Sequence, residues 1–120
     1  MSLIFTPDML AAGYDFLRTT PPFRRWGMPP SDAIEFRVTN DSKEHGHYNR
    51  IARTDRHWIA MSQASIGQTN TLVMFLAHEM IHLHQALKKL ETQNATHNAD
   101  FRKKARAVCK AHGWDLKIFA

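Results

Sequence analysis

Cysteine is almost missing from this chain: Cys109 is the only one in 120 residues. One thiol cannot close an intramolecular disulfide, and it excludes a zinc site built on cysteine pairs. It also suits a reducing compartment, so a cytoplasmic location is expected. No apolar run approaches the ~20 residues needed to cross a bilayer, so no membrane partner is expected. The opening residues, MSLIFTPDML, lack the basic segment and apolar stretch of a secretory leader. Repeats, low-complexity tracts and long linkers are also missing. Residues 1–120 therefore read as a single domain with one modest core. Acidic residues are in deficit, 11 against 16 Lys and Arg, for a net charge of +5. The excess favours acidic partners, DNA among them. The basic residues are dispersed, with small groups at Arg24-Arg25, Lys88-Lys89 and Arg102-Lys103-Lys104 that read as solvated faces.

What the chain does hold is a clear order of elements. Thr6-Pro7-Asp8 is a helix start: a capping hydroxyl, proline at the first helical position and an acid at the positive end. The helix that follows is predicted to bury Met9, Leu10, Gly13, Phe16 and Leu17 and to stop before Pro21-Pro22. PPFRRWGMPPSD reads as irregular, with Phe23 and Trp26 as anchors. Three short strands are predicted. Ile34, Phe36 and Val38 alternate with polar neighbours. A weaker strand surrounds Tyr48 and Ile51, and HWIAMS forms the third. Short turns between them predict an antiparallel meander. A second helix is predicted from Thr69 or Thr71 to Glu91, apolar on every side from Leu72 to Ala77 and hence central and buried. A third runs from about Asn98 to His112, stopped by Gly113, with WDLKIF as a packed or paired tail. The fold class is α+β, helices on a small three-stranded sheet. Trp26, Trp58, Phe75 and Trp114 are expected in the core.

Eight histidines are present, and two of them fall in HEMIH, residues 78–82. His78 and His82 sit one turn apart on one face of the second helix, so both imidazoles can reach one metal ion. Glu79 is rotated by ~100°. It is placed to act as general base on water rather than to ligate, the arrangement of a zinc hydrolase. Two histidines need a third ligand. The metzincin spacing requires Gly at 85 and His at 88, where the chain has Gln85 and Lys88. Glu91 is placed on the same helix, too far along to fold back, and no glutamate follows it. Asp100 suits the first turn of the third helix. His84 points to another side. His97 remains, after a reversal that can bring it beside His78 and His82. Tyr48, His47 and His57 are candidate oxyanion donors. Gln85, one turn past His82, either orients a ligand or lies on the surface. The HWIAMS strand is a candidate edge for pairing with an extended substrate.

HEMIH followed by HNADF resembles the SprT-like metalloprotease family, which includes the Spartan proteases, across His78, Glu79, His82, His97 and Phe101. HWIAMS before the active-site helix and the helix–strands–helix–helix order are similar as well. Asn98 stands where that pattern has glycine, and no cysteine-rich zinc ribbon follows. The resemblance implies a minimal zincin-like core: an N-terminal helix, a small antiparallel sheet, the HExxH helix and a following helix carrying the third ligand. It also implies a Zn²⁺-dependent endopeptidase acting on protein or peptide substrates, DNA-associated proteins among them. The contrasting readings are a non-enzymatic DNA- or protein-binding module with a structural metal, and a peptidase with one narrow protein target. A structural site would usually fill its fourth position with protein.

Overall fold

The computed structural model describes residues 4–51, 56–66, 69–91 and 97–119. Along the chain lie α1 (Pro7–Arg18), α2 (Phe23–Trp26), a 3-10 turn (Ser31–Ala33), β1 (Ile34–Thr39), β2 (Gly46–Ile51), β3 (Arg56–Ser62), α3 (Thr69–Leu87), α4 (Ala99–His112) and α5 (Leu116–Phe119). The α+β class holds. The stretch read as irregular contains α2, with Phe23 buried and Trp26 packed against the core.

Thr6 caps α1, its Oγ1 accepting from the Met9 N–H at 3.3 Å. The buried stripe is Leu10, Tyr14 and Leu17. Leu10 and Leu17 are buried as predicted, but Tyr14 completes the stripe, while Met9 and Phe16, expected on it, face solvent. Tyr14 can be buried because its hydroxyl donates to the Pro29 carbonyl at 2.6 Å.

The sheet corrects the predicted meander. Its order is β1-β3-β2. β1 runs parallel to β3, with Phe36 opposite Ile59, while β2 runs antiparallel to it, with Tyr48 opposite Ile59. The physical cause lies in β3, where Ile59, Ala60 and Met61 are all buried. A strand that is apolar at consecutive positions belongs in the middle of a sheet, and the half-polar β1 and β2 belong at its edges. Ile34, Phe36 and Val38 share a face with Ile59 and Met61 and join the helices in the core. Trp58 lies on the opposite face, under the Arg37 guanidinium at 4.3 Å, and not in the core as expected.

α3 is the central helix. Leu72, Met74, Leu76, Ala77, Met80, Ile81 and Leu83 are buried along it. Whatever caps its start lies outside the described residues. It ends four residues before the predicted Glu91. Lys89 takes a left-handed conformation (φ 57°), and the Leu90 N–H reaches back to the Gln85 carbonyl at 2.8 Å. This closes the helix as a glycine would. α4 is capped by Asn98 and closed by Gly113 at φ 74°. The tail is the short helix α5, with Phe119 buried. No described helix is long and apolar enough to cross a membrane.

Candidate metal centre

α3 presents His78 and His82 one turn apart, with ring centroids 5.1 Å from each other. His97 stands just ahead of α4, 4.9 Å from His78 and 5.2 Å from His82. The Asn98 cap sets this entry, its Oδ1 accepting the Phe101 N–H at 2.9 Å. Phe101 then stacks on His97 at 4.2 Å with the rings 5° from parallel, and on His82 at 4.7 Å. One nitrogen from each of the three histidines lies within 4.8 Å of the others. The three can hold one metal ion.

The ring chemistry fits that use. His78 Nδ1 lies 2.8 Å from the Phe119 carbonyl. A carbonyl only accepts, so Nδ1 carries the hydrogen and Nε2 keeps its lone pair. Burial pushes the His78 pKa down to about 4; the Phe119 bond opposes this and His97 adds to it. Burial pushes His82 down to about 3, helped by the neighbouring histidines and opposed by a side-chain hydrogen bond to Gln85. Burial lowers His97 as well. Neutral imidazoles are the form that ligates a metal.

Glu79 is buried, and burial raises its carboxyl to about 8; Glu44 adds to the rise and a backbone hydrogen bond from Tyr48 opposes it. A cleft of about 340 Å³ runs between Glu79 with the three histidines on one side and Gly46, His47 and Tyr48 on the other. The strand beside the site is therefore β2. HWIAMS, expected to offer a free edge, is bonded on both sides as β3, and the edge strand facing the cleft is β2. Gly46 lets β2 lie close against β3: a Cβ there would lie 2.7 Å from Met61 Sδ and 3.1 Å from the Ala60 carbonyl.

The remaining sequence candidates lie as follows. The Tyr48 hydroxyl is 2.6 Å from His57 Nδ1. His47 is exposed at the cleft, 3.7 Å from Glu44. Gln85 is 1% exposed, so it is not a surface residue, and it bridges to Asn98 and Asp100. His84 packs on Trp26 and His112 on Trp114, neither in the ligand cluster, whereas His45 stacks on Phe75 and lines a pocket with His78, Glu79 and His97. Glu91, expected to be carried away along the helix, lines the cleft instead because α3 ends early. Sequence reasoning does not reach the Phe119 carbonyl, which no side-chain pattern signals. Gln85, read as a candidate to orient a ligand, has Asn98 and Asp100 as partners, which the cap and acid of HNAD could have suggested.

These features can be set beside known proteins. The model of the SprT-like family matches residues 23–118. The chain belongs to the SprT-like family. The match runs from α2 into α5 and takes in His78, Glu79, His82 and His97. A family of metalloprotease-type domains is consistent with a three-histidine cluster on these elements. No curated protein matches the chain.

Proposed function

We propose that this SprT-like protein is a zinc-dependent endopeptidase with a zincin-like core. The observation that carries the reading is the convergence of His78, His82 and His97 beside the buried carboxyl of Glu79, at the floor of a cleft walled by an edge strand. Three neutral imidazoles with no cysteine favour zinc among the divalent ions. When bound, zinc supplies Lewis acidity, making water a nucleophile near neutral pH and polarising an amide carbonyl.

The chain's own residues do the rest. His78, His82 and His97 hold the ion. Glu79 takes the proton of the attacking water and passes it to the leaving amine. To take that proton Glu79 must be ionised, and a cation held by the three histidines would favour the carboxylate against the burial that raises its carboxyl in the metal-free chain. β2 offers backbone groups along the cleft, so an extended segment can pair with it. This selects flexible or unfolded protein rather than a side-chain code. Of the candidate oxyanion donors, Tyr48 and His47 line the cleft. The excess of basic residues supports DNA-associated proteins as one substrate class, and the lone buried thiol of Cys109 suits a cytoplasmic setting. Against a purely structural metal stands the ligand count: among the described residues the cluster has three members, and its fourth side is the cleft.

The test is cleavage of casein and histones, with and without single-stranded DNA, by the wild type and by Glu79→Gln. The variant is expected to keep its zinc and lose at least 100-fold in rate, about the contribution of a general base. Unchanged cleavage by the variant overturns the role of Glu79. Wild-type cleavage that does not respond to DNA narrows the reading to a general protease.

A further inference from the structure

We propose that Gln85, clamped by Asn98 and Asp100, is a positioning residue that holds His82 and the His97 turn in register for metal binding. The inference rests on the zinc reading above and adds the device that assembles the site.

Gln85 lies three residues after His82 on α3, on the same face. Its Nε2 donates to Asn98 Oδ1 at 2.8 Å and to Asp100 Oδ2 at 3.1 Å. A primary amide has two N–H groups, and both are used. Turning the amide over would set its carbonyl against two oxygen acceptors, so the orientation is fixed. The side-chain hydrogen bond between His82 and Gln85 therefore falls on Oε1, which only accepts. The ring nitrogen it meets must carry the hydrogen, and the other nitrogen keeps its lone pair for a metal. His82 thus receives from Gln85 what His78 receives from the Phe119 carbonyl.

The same clamp sets the third histidine. Asn98 follows His97 directly. Its Oδ1 also accepts the Phe101 N–H at 2.9 Å, and its Nδ2 donates to the Leu90 carbonyl at 3.1 Å. One side chain therefore ties the end of α3 to the start of α4 across the His97 turn. Asp100 is braced in turn by Lys104 Nζ at 2.8 Å. A glycine at position 98 would supply none of these bonds. With Gln85 at 1% exposure, its hydrogen bonds have no water to replace them, so losing one loosens the site.

The experiment measures zinc affinity by chelator competition and the ¹⁵N shifts of the His82 ring in metal-free protein. It uses the full chain and the variants Gln85→Leu, Asn98→Gly and Asn98→Asp. Gln85→Leu is expected to weaken zinc binding by about 10–100-fold, the usual range for losing such a partner, and to convert His82 from one tautomer to a mixture. Asn98→Gly is expected to weaken zinc in the same direction. Asn98→Asp, which keeps the acceptor and the cap, is expected to recover most of the loss. If Gln85→Leu does not fold, the Asn98 pair carries the comparison. Wild-type affinity and an unchanged tautomer in Gln85→Leu, or equal affinities for the two Asn98 variants, overturn the inference. Absence of tight zinc in the wild type itself overturns the metal reading and the inference together, which separates the two failures.

Discussion

Burial decides the charge of three side chains on α3. His78 and His82 are held neutral by it, and so is His84, which burial lowers to about 4 with help from the charges of Lys104 and Lys88, against Asp100 and a hydrogen bond to the Trp26 backbone. Among the described residues His84 Nδ1 has no hydrogen-bond partner, so a proton placed there gains no acceptor from them. A folded pKa below the unfolded value of ~6.5 means that the unfolded chain binds more protons as pH falls, and stability falls with it. These histidines therefore pull the melting temperature of the metal-free protein down as pH falls from 6.5 to about 4. That slope is opposed by Glu79, whose carboxyl, raised to about 8 by burial, holds its proton more tightly in the folded chain between about 4.5 and 8. His84→Leu should make the fall shallower even if it lowers the melting temperature at every pH. An equal slope in the variant would show that His84 is not among the groups responsible. At this scale the sequence was legible where spacing carries the chemistry: positions 78, 79 and 82 follow from helical geometry. Position 97 followed only by elimination. Gln85 was left between two roles because its partners sit 13 and 15 residues away, on an element whose docking no local pattern records.

Elements place these residues, and β2 is the one whose placement most affects the cleft. It must lie against β3 closely enough for Gly46 to face Met61 and the Ala60 carbonyl. Gly46→Ala puts a methyl group into that contact, where a backbone oxygen cannot yield as a flexible side chain can. The expected cost is about 1–3 kcal/mol, read as a lower melting temperature, with slower cleavage because the cleft wall shifts. A fully stable variant would mean that β2 stands further from β3 than described. The helices were legible because caps and periodicity are local: Thr6, Asn98 and Gly113 mark their ends. The strand order was not. A turn between β1 and β2 gives the same sequence whether the strands pair or leave room for a third, and only the unbroken burial of Ile59, Ala60 and Met61 in β3 decides it. The early end of α3 was hidden for a related reason: Lys89 takes the left-handed position at which a glycine would have announced it.

Across the whole molecule, the site draws on segments far apart in the chain. α3 brings two histidines and the glutamate, the turn before α4 brings the third histidine, α5 brings the Phe119 carbonyl, and β2 walls the cleft. No single segment can bind the ion or shape the cleft alone, so metal binding, assembly and activity should rise together. The most direct test is cleavage of unfolded casein by purified protein stripped of metal with a chelator and then titrated with zinc. Activity is expected to vanish on stripping and to return at one equivalent of zinc per chain. Full cleavage by the stripped protein, or none after zinc is restored to a folded chain, would contradict the account.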